Sequence, residues 1–511
     1  MSEPTDADLH QHGREISAVA AAHPHRAAVR TGDATLTFGE LDALADALAR
    51  RFVHAGLDEG DRVALLSRNR PEWIVTYWAG LRAGVTIVPI NWHLEADDVA
   101  YVIADSGARA VVAEDAFARH VAAMPASVIL RVAVGGPIDG FESWTTAVTP
   151  GEPAPMRQRG TQMIYTSGTT GRPKGVRSAS QASSDGAAVA RGMLALFDMH
   201  ADTGDSMLAP APLYHSGPSR LCCEWPLGAG VTVHLMERFD ARDALSLIDE
   251  HGITHAFFVP TMFRRMLAVP DRDAFDVSSL RFVLHGAGPC TVDTKKAMFE
   301  WFGPVIHEMY AASEGPGTWI TPLEWLAHPG SVGRIDPDRL QVRRDDGSIA
   351  DTGEVGRIWS RSVSGFEYHG DAEKTAAAHD ASGEWYSVGD YGHIDAESYL
   401  FLAGRSAECI VSGGVNLYPA RVDEALASAP GLVDGAAFGL PDDDLGEIVA
   451  AAIVSDGTTD EETLIEAVLA HCRAAIGAQL TPRRVFVVEE LPRSDAGKLY
   501  RGRLTERFRS T

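Results

Sequence analysis

Between residues 62 and 312, short apolar runs alternate with segments of helical length, and this rhythm constrains the fold more than any other feature. Residues 63–66, 86–90 and 110–112 read as strands, with helices at 71–84 and 95–106 between them. The pattern returns with strands at 231–236, 256–260, 281–285 and 305–310 and helices at 240–251, 261–269 and 291–302. Strand, helix, strand at this spacing predicts crossover units and a mostly parallel sheet covered on both faces. After Gly330 the character changes: Gly and Asp cluster at 345–347 and 351–356 between short β-rich stretches, which predicts a compact β region. A second shift falls near Gly404-Arg405. Beyond it come a helix at 420–429, strands at 435–439 and 448–454, a helix at 461–476 and a strand at 485–488. The expected class is therefore α/β: a large N-terminal domain (1–403) of parallel-type sheets plus a small β region, then a small α+β C-terminal domain (404–511).

Composition narrows the function classes. Against 45 basic residues stand 70 acidic ones, a net charge of −25, so the chain lacks the basic footprint of a nucleic-acid binder. The same charge repels polyphosphates at long range, so any such ligand must be drawn by local cations. Five cysteines (Cys222, Cys223, Cys290, Cys409, Cys472) with no C-x-x-C argue for a reducing, cytoplasmic setting and against structural zinc. The first 30 residues show no basic-then-apolar leader, and no apolar run is long enough to span a membrane. Peripheral membrane contact and a homodimer stay open.

The chemistry is announced by Tyr165-Thr166-Ser167-Gly168-Thr169-Thr170-Gly171-Arg172-Pro173-Lys174-Gly175-Val176. Glycines let backbone N–H groups approach oxygens closely, hydroxyls add short hydrogen bonds, and Arg172 and Lys174 add charge. Residues 162–165 read as a buried strand, which puts the loop at a strand's carboxyl end, where ligands gather in open α/β sheets. Walker A requires Gly before its Lys and Ser/Thr after it. Here Pro173 precedes Lys174 and Gly175 follows, so a P-loop fails. Over all twelve positions the order resembles the signature loop of adenylate-forming enzymes: acyl-CoA synthetases, luciferases and peptide-synthetase adenylation domains.

The resemblance covers nearly the whole chain, in the family's order. It implies a nucleotide loop made of Thr166, Ser167, Gly168, Thr169, Thr170, Gly171 and Lys174. Pro212-Leu213-Tyr214-His215 resembles the segment whose aromatic or His gates the acyl tunnel; Ser216 stands where amino-acid-activating relatives carry an Asp. Gly286, Ala287 and Gly288 resemble the small-residue segment that lies against adenine, with one glycine more than the usual pattern. Tyr310-Ala311-Ala312-Ser313-Glu314 resembles Tyr-Gly-x-Thr-Glu, which implies Tyr310 on adenine, Ser313 on the α-phosphate and Glu314 on Mg²⁺, with Thr166 reaching the same ion. Ala311 replaces the usual Gly, a change expected to tighten the backbone's fit.

Trp385-Tyr386-Ser387-Val388-Gly389-Asp390 resembles the segment whose Asp accepts both ribose hydroxyls, and Arg405 the ribose-contacting Arg that opens the hinge. The hinge position itself is Ala407, where relatives carry Asp or Lys. Ser412, Gly413 and Gly414 resemble the face that admits the pantetheine arm. Residues 491–498 resemble the loop that inserts a Lys, here Lys498, into the adenylation site; a long stem delivers its compact charge.

The resemblance implies a two-step ligase with a mobile C-terminal domain: ATP, Mg²⁺ and a carboxylic acid give acyl-AMP, then coenzyme A takes the acyl group. Glu314, Lys498 and His215 are the expected catalytic residues. Residues 315–319 and 257–260 read as a roomy apolar wall, and residues 325–333 are similar to bacterial fatty-acid and steroid-acid CoA ligases. A medium- or long-chain fatty acid is the favoured substrate, a steroid side-chain or aryl acid the next. The rivals are an adenylation enzyme loading a carrier protein, a luciferase-type monooxygenase and a catalytically dead nucleotide-binding regulator.

Overall fold

The computed structural model describes residues 5–32, 34–166, 173–178, 186–362, 365–405, 408–412, 415–442, 445–478, 480–494, 497 and 499–509, with backbone alone at 178, 316, 405, 415 and 416. Two largely parallel sheets dominate. One runs Glu142–Ser143, Leu130–Val134, Ala108–Glu114, Arg62–Leu66, Thr86–Pro89 and Thr161–Gln162, parallel at every pairing. The other is parallel from Ile306–Ala312 through Phe282–His285, His255–Phe258, Ser206–Ala209 and Thr232–Leu235 to Ala27–Thr31. Antiparallel strands Gly315–Ile320 and Ala34–Thr37 close its two edges.

The local signals for these elements are ordinary ones. Pro71 opens the helix Pro71–Ala83, and Gly84 caps it at a left-handed φ of 73°. The Asp240 side chain accepts from the N–H groups of Arg242 and Asp243 at the head of Ala241–His251, and Gly252 ends that helix. Helix Pro71–Ala83 presents no exposed face from its third residue onward. Every residue from Trp73 to Ala83 is buried, because the helix packs against Phe38–His54 inside the main core. Even Arg82 is inside, its guanidinium paired with Asp42.

From Gly333 to Arg405 the chain forms an antiparallel sheet of short strands, the expected β region. Strand Tyr399–Arg405 ends it, and from Ile410 onward the chain builds a separate C-terminal domain. The long strands Leu432–Asp442 and Gly446–Ser455 pair there, with Arg484–Val487 added in parallel. Alternate residues serve two cores: Val449, Ala451 and Ile453 face Leu426 and Leu464, while Ile448, Ala450 and Ala452 face Leu491 and Leu504. That period-2 split explains why residues 448–454 read as one unbroken apolar run. Among the described residues no helix is long and apolar enough to cross a membrane.

Candidate functional site

The glycine-rich loop does not simply leave a strand of the parallel sheet. Thr161–Gln162 ends that sheet beside Thr86–Pro89; after Met163 the chain enters a separate three-stranded antiparallel sheet. Strand Ile164–Thr166 pairs with Lys174–Ser178, and Thr166 stands directly opposite Lys174. The loop therefore closes a hairpin, which holds its two ends at adjacent positions on neighbouring strands. Residues 167–172, with Ser167, Gly168, Thr169, Thr170 and Gly171, lie outside the described residues. Tyr165 anchors the hairpin by donating to Asp105 at 2.6 Å; burial, then that carboxylate, pushes its phenol pKa up.

The third strand of this sheet, Phe366–Tyr368, makes a connection that sequence reasoning missed. Tyr368 pairs with Val176 of the hairpin, and its O–H donates to Glu314 Oε1 at 2.9 Å. Burial, then the Glu314 carboxylate, raises the Tyr368 pKa, so the phenol stays a donor. Glu314 sits in the tight turn between Ile306–Ala312 and Gly315–Ile320. Its Oε2 takes part in no hydrogen bond or ion pair found among the described residues. A carboxylate held by one oxygen and open at the other fits a hard cation, which needs hard oxygen ligands.

The same hairpin carries Tyr310, whose O–H donates to Asp390 Oδ2 at 2.8 Å. Asp390 is buried and stands directly opposite Arg405 across an antiparallel pairing. The spacing between these two residues is thus the length of a hairpin. Gly286 adjoins this group: a Cβ there would meet the Met309 carbonyl at 2.7 Å, so only glycine fits beside the residue preceding Tyr310. The left-handed position is not the extra Gly288 but Ala287, with φ 67°, a strained conformation of the kind that clusters at ligand sites. Ala311 falls where the pairing register shifts between Tyr310 and Ala312, and it is exposed. Ser313 lies beside Glu314 in the turn, half-buried. A small pocket between this hairpin and the β region is lined by Tyr310, Gly315, Gly317, Ile358, Tyr386 and Val388. Burial pushes the Tyr386 phenol up to about 12.

Beneath the Gly286 segment lies a fully buried ion pair, Lys295 Nζ to Glu308 Oε2 at 2.6 Å, with His285 Nε2 3.4 Å from the same oxygen. Burial opposes both charges, pushing the Glu308 carboxyl up and the Lys295 ammonium down, while their contact holds them together. Burial, then Lys295, drives the His285 pKa well below 6.5, so this ring is neutral.

His215 follows Tyr214, their rings 4.5 Å apart, in a turn leading into the π-helix Pro218–Glu224. Such widened turns recur at functional positions. The buried Asn69 fixes this segment. Its Nδ2 donates to the carbonyls of Ala211 (2.9 Å) and Met236 (3.0 Å), and its Oδ1 accepts from Leu213 N–H (2.9 Å). The expected apolar wall is less roomy than its composition suggests. Phe258 packs on Phe263, Trp319 stacks against both Phe197 and Phe282, and Thr318 donates to the Val332 carbonyl. Phe257 is buried beside the His215 segment, its ring tip 3.9 Å from where a Cβ on Gly217 would stand.

In the C-terminal domain Ser412 ends its strand, pairing with Val415 and Gly446. Those glycines, Ala407 and Lys498 lie outside the described residues, and Arg405 is described by its backbone alone. The structure brings Tyr310, Asp390 and Arg405 together, and Gly286, beside Met309, adjoins them. Tyr368 joins Glu314 to the hairpin of Thr166 and Lys174.

Two family models match the chain: the AMP-binding enzyme over residues 16–367 and the AMP-binding enzyme C-terminal domain over 421–498. The long-chain-fatty-acid–CoA ligase FadD13 of Mycobacterium tuberculosis is 30% identical over 495 residues, 94% of each chain. A feruloyl-CoA synthase of Amycolatopsis sp is 31% identical over 497 residues, 95% of this chain and 96% of that one. Among solved structures, ATP-bound MatB from Rhodopseudomonas palustris is similar with a TM-score of 0.83 at 27% identity, covering 98% and 99% of the two chains.

Proposed function

This chain belongs to the AMP-binding enzyme family, as an acyl-CoA synthetase of the adenylate-forming superfamily and an acid–thiol ligase; from that premise we propose its acid, its domain division and the roles of its site residues. The acid is apolar, a medium- or long-chain fatty acid. Supporting this reading are Phe257 facing Gly217 beside the His215 segment and the likeness to a long-chain-fatty-acid–CoA ligase. The likeness to a feruloyl-CoA synthase supports an aryl acid as the second reading. A panel of fatty, steroid side-chain and aryl acids, assayed with ATP and coenzyme A for AMP release, tests it. Turnover confined to aryl acids would reject the fatty-acid reading.

The domains divide at 403/404, with the hinge at Ala407. In the first half-reaction the substrate carboxylate attacks the α-phosphorus of ATP, the bond to the β-phosphate oxygen breaks, and acyl-AMP and pyrophosphate form. The protein's part is position and charge. The loop from Thr166 to Lys174 cradles the β- and γ-phosphates, Tyr310 and the Gly286–Gly288 segment flank adenine, and Asp390 and Arg405 hold the ribose. Ser313 donates to the α-phosphate, and Lys498 offsets charge between nucleophile and α-phosphate. Glu314 with Thr166 would hold Mg²⁺, which when bound neutralises phosphate charge. In the second half-reaction the C-terminal domain turns, and Ser412, Gly413 and Gly414 admit the coenzyme A thiolate, which displaces AMP from the mixed anhydride. His215 parts the acyl tunnel from the nucleotide.

The observation that carries the ribose assignment is the cluster of Tyr310, Asp390 and Arg405. Asp390→Ala removes an ionised acceptor, whose hydrogen bonds are worth about 1.5–3 kcal/mol. The Michaelis constant for ATP is expected to rise by about 10- to 100-fold, with that for the acid nearly unchanged. Steady-state kinetics varying each substrate separately decide it; an unaltered ATP requirement removes Asp390 from the ribose.

A further inference from the structure

The loop carrying Lys498 is seated on the large domain by contacts that the reaction scheme does not use. Helix Pro260–Leu267 presents Thr261 and Arg264, three residues apart and so on one face. Arg264 Nη1 meets Asp434 Oδ1 at 2.7 Å, an ion pair joining the large domain to strand Leu432–Asp442 of the C-terminal domain. Asp434 is shared. Arg493, at the base of the lysine loop, grips the same carboxylate with two nitrogens, Nε to Oδ2 at 2.8 Å and Nη2 to Oδ1 at 3.0 Å.

The loop is also closed on itself. Arg493 Nη1 donates to the Gly497 carbonyl at 3.2 Å, Gly497 N–H to the Ser494 carbonyl at 2.7 Å, and Tyr500 N–H to the Pro492 carbonyl at 2.8 Å. Gly497 has φ 74° and lies against Thr261 so closely that the side chain of Thr261 fills the place of a Cβ. Lys498 follows in the chain, and Leu499 is bridged back to Arg493. Both neighbours of Lys498 are thus fixed, and the described part of the loop meets the large domain through Gly497 at Thr261 and, by way of Asp434, through Arg493 at Arg264.

We propose that Arg264 is a positioning residue for adenylation: through Asp434 and Arg493 it holds the lysine loop on helix Pro260–Leu267, and this contact opens when the domain turns to form the thioester. The proposal rests on the reading of Lys498 given above. Two features suit a contact that is made and broken in each turnover. The pair is partly exposed, side chains 29% and 18% accessible, so its strength is modest. When Arg264 withdraws, Asp434 keeps Arg493 as its counter-charge, so no carboxylate is stranded.

Arg264→Met keeps the aliphatic stem and removes the charge. Pyrophosphate exchange is expected to fall about tenfold, the scale of a modest coupling energy. Thioester formation from supplied acyl-AMP and coenzyme A should persist at the wild-type rate or above, and Arg264→Lys should restore most of the exchange. Gly497→Ala, which cannot sit on Thr261, should reproduce the Arg264→Met pattern. With ATP present, proteolytic cleavage between the domains should be faster in Arg264→Met than in wild type. In a Lys498→Ala background, Arg264→Met should cost no further exchange. Equal loss of both half-reactions, unchanged exchange, or a full additional loss on top of Lys498→Ala overturns the proposal. If Lys498→Ala alone leaves exchange intact, the reading of Lys498 is what fails; the cleavage rate still judges Arg264, and an unchanged rate rejects it.

Discussion

Lys498→Ala is expected to slow acyl-adenylate formation by on the order of 10²–10³, while thioester formation from supplied acyl-AMP survives. The large factor follows from where the charge is needed. As the carboxylate approaches the α-phosphorus, negative charge builds on oxygens from two reactants that repel each other and the protein around them, which carries a net charge of −25. An ammonium brought between them acts on the transition state more than on either ground state, so its loss appears in the rate of the step and not merely in substrate affinity. Arginine is a poor substitute, because a planar fork does not match a gap suited to a compact charge. Pyrophosphate exchange reads the first half-reaction and coenzyme A consumption from acyl-AMP the second. Near-normal exchange in the mutant removes Lys498 from catalysis.

Local pattern carried much of the architecture, and its reach explains what it missed. The helix expected at 461–476 is Glu461–Ile476, with Asp460 as its cap, because cap and periodicity lie within the segment. Asp390 and Arg405 were legible as motifs fifteen residues apart, and that spacing becomes a pair of facing strand positions. Tyr368 and Asn69 gave no such signal. Their partners lie 54 residues away at Glu314 and more than 140 away at Ala211 and Leu213, and only the assembled sheets bring them together. The hairpin around the phosphate loop was hidden for a related reason: Ile164–Thr166 is a short strand whose partner, Lys174–Ser178, lies beyond a loop, and that strand's other partner, Phe366–Tyr368, lies far along the chain. Helix Arg501–Phe508 was overlooked because its apolar residues are only Leu504, which is buried, and Phe508, which stacks on Phe486; Arg501 ties it to Asp423 and Glu408.

Acidification exposes a second property of the core. His234, His255 and His285 are buried in the main sheet, and His307 stacks 4.2 Å from Phe282 on its edge. Burial lowers the pKa of all four, in His234 and His307 from 6.5 to about 4. A histidine with a depressed folded pKa leaves stability intact above 6.5. As pH falls through the window from 6.5 to about 4, the unfolded chain takes up protons that the native state refuses, and stability is lost. For His234 and His307 the cost is about 1.4 kcal/mol per pH unit in that window, so His234 alone should remove about 2 kcal/mol by pH 5. Glu308, whose carboxyl burial raises, works in the opposite direction, so the effect is best read by substitution. His234→Phe leaves a ring of similar size beside His251, 4.7 Å away, and removes the titration. Urea unfolding at pH 7 and pH 5 should show wild type losing stability and the variant losing about 2 kcal/mol less. Equal losses in both proteins would mean that His234 titrates alike in the folded and unfolded chain, and that burial of this ring has no hold on its proton.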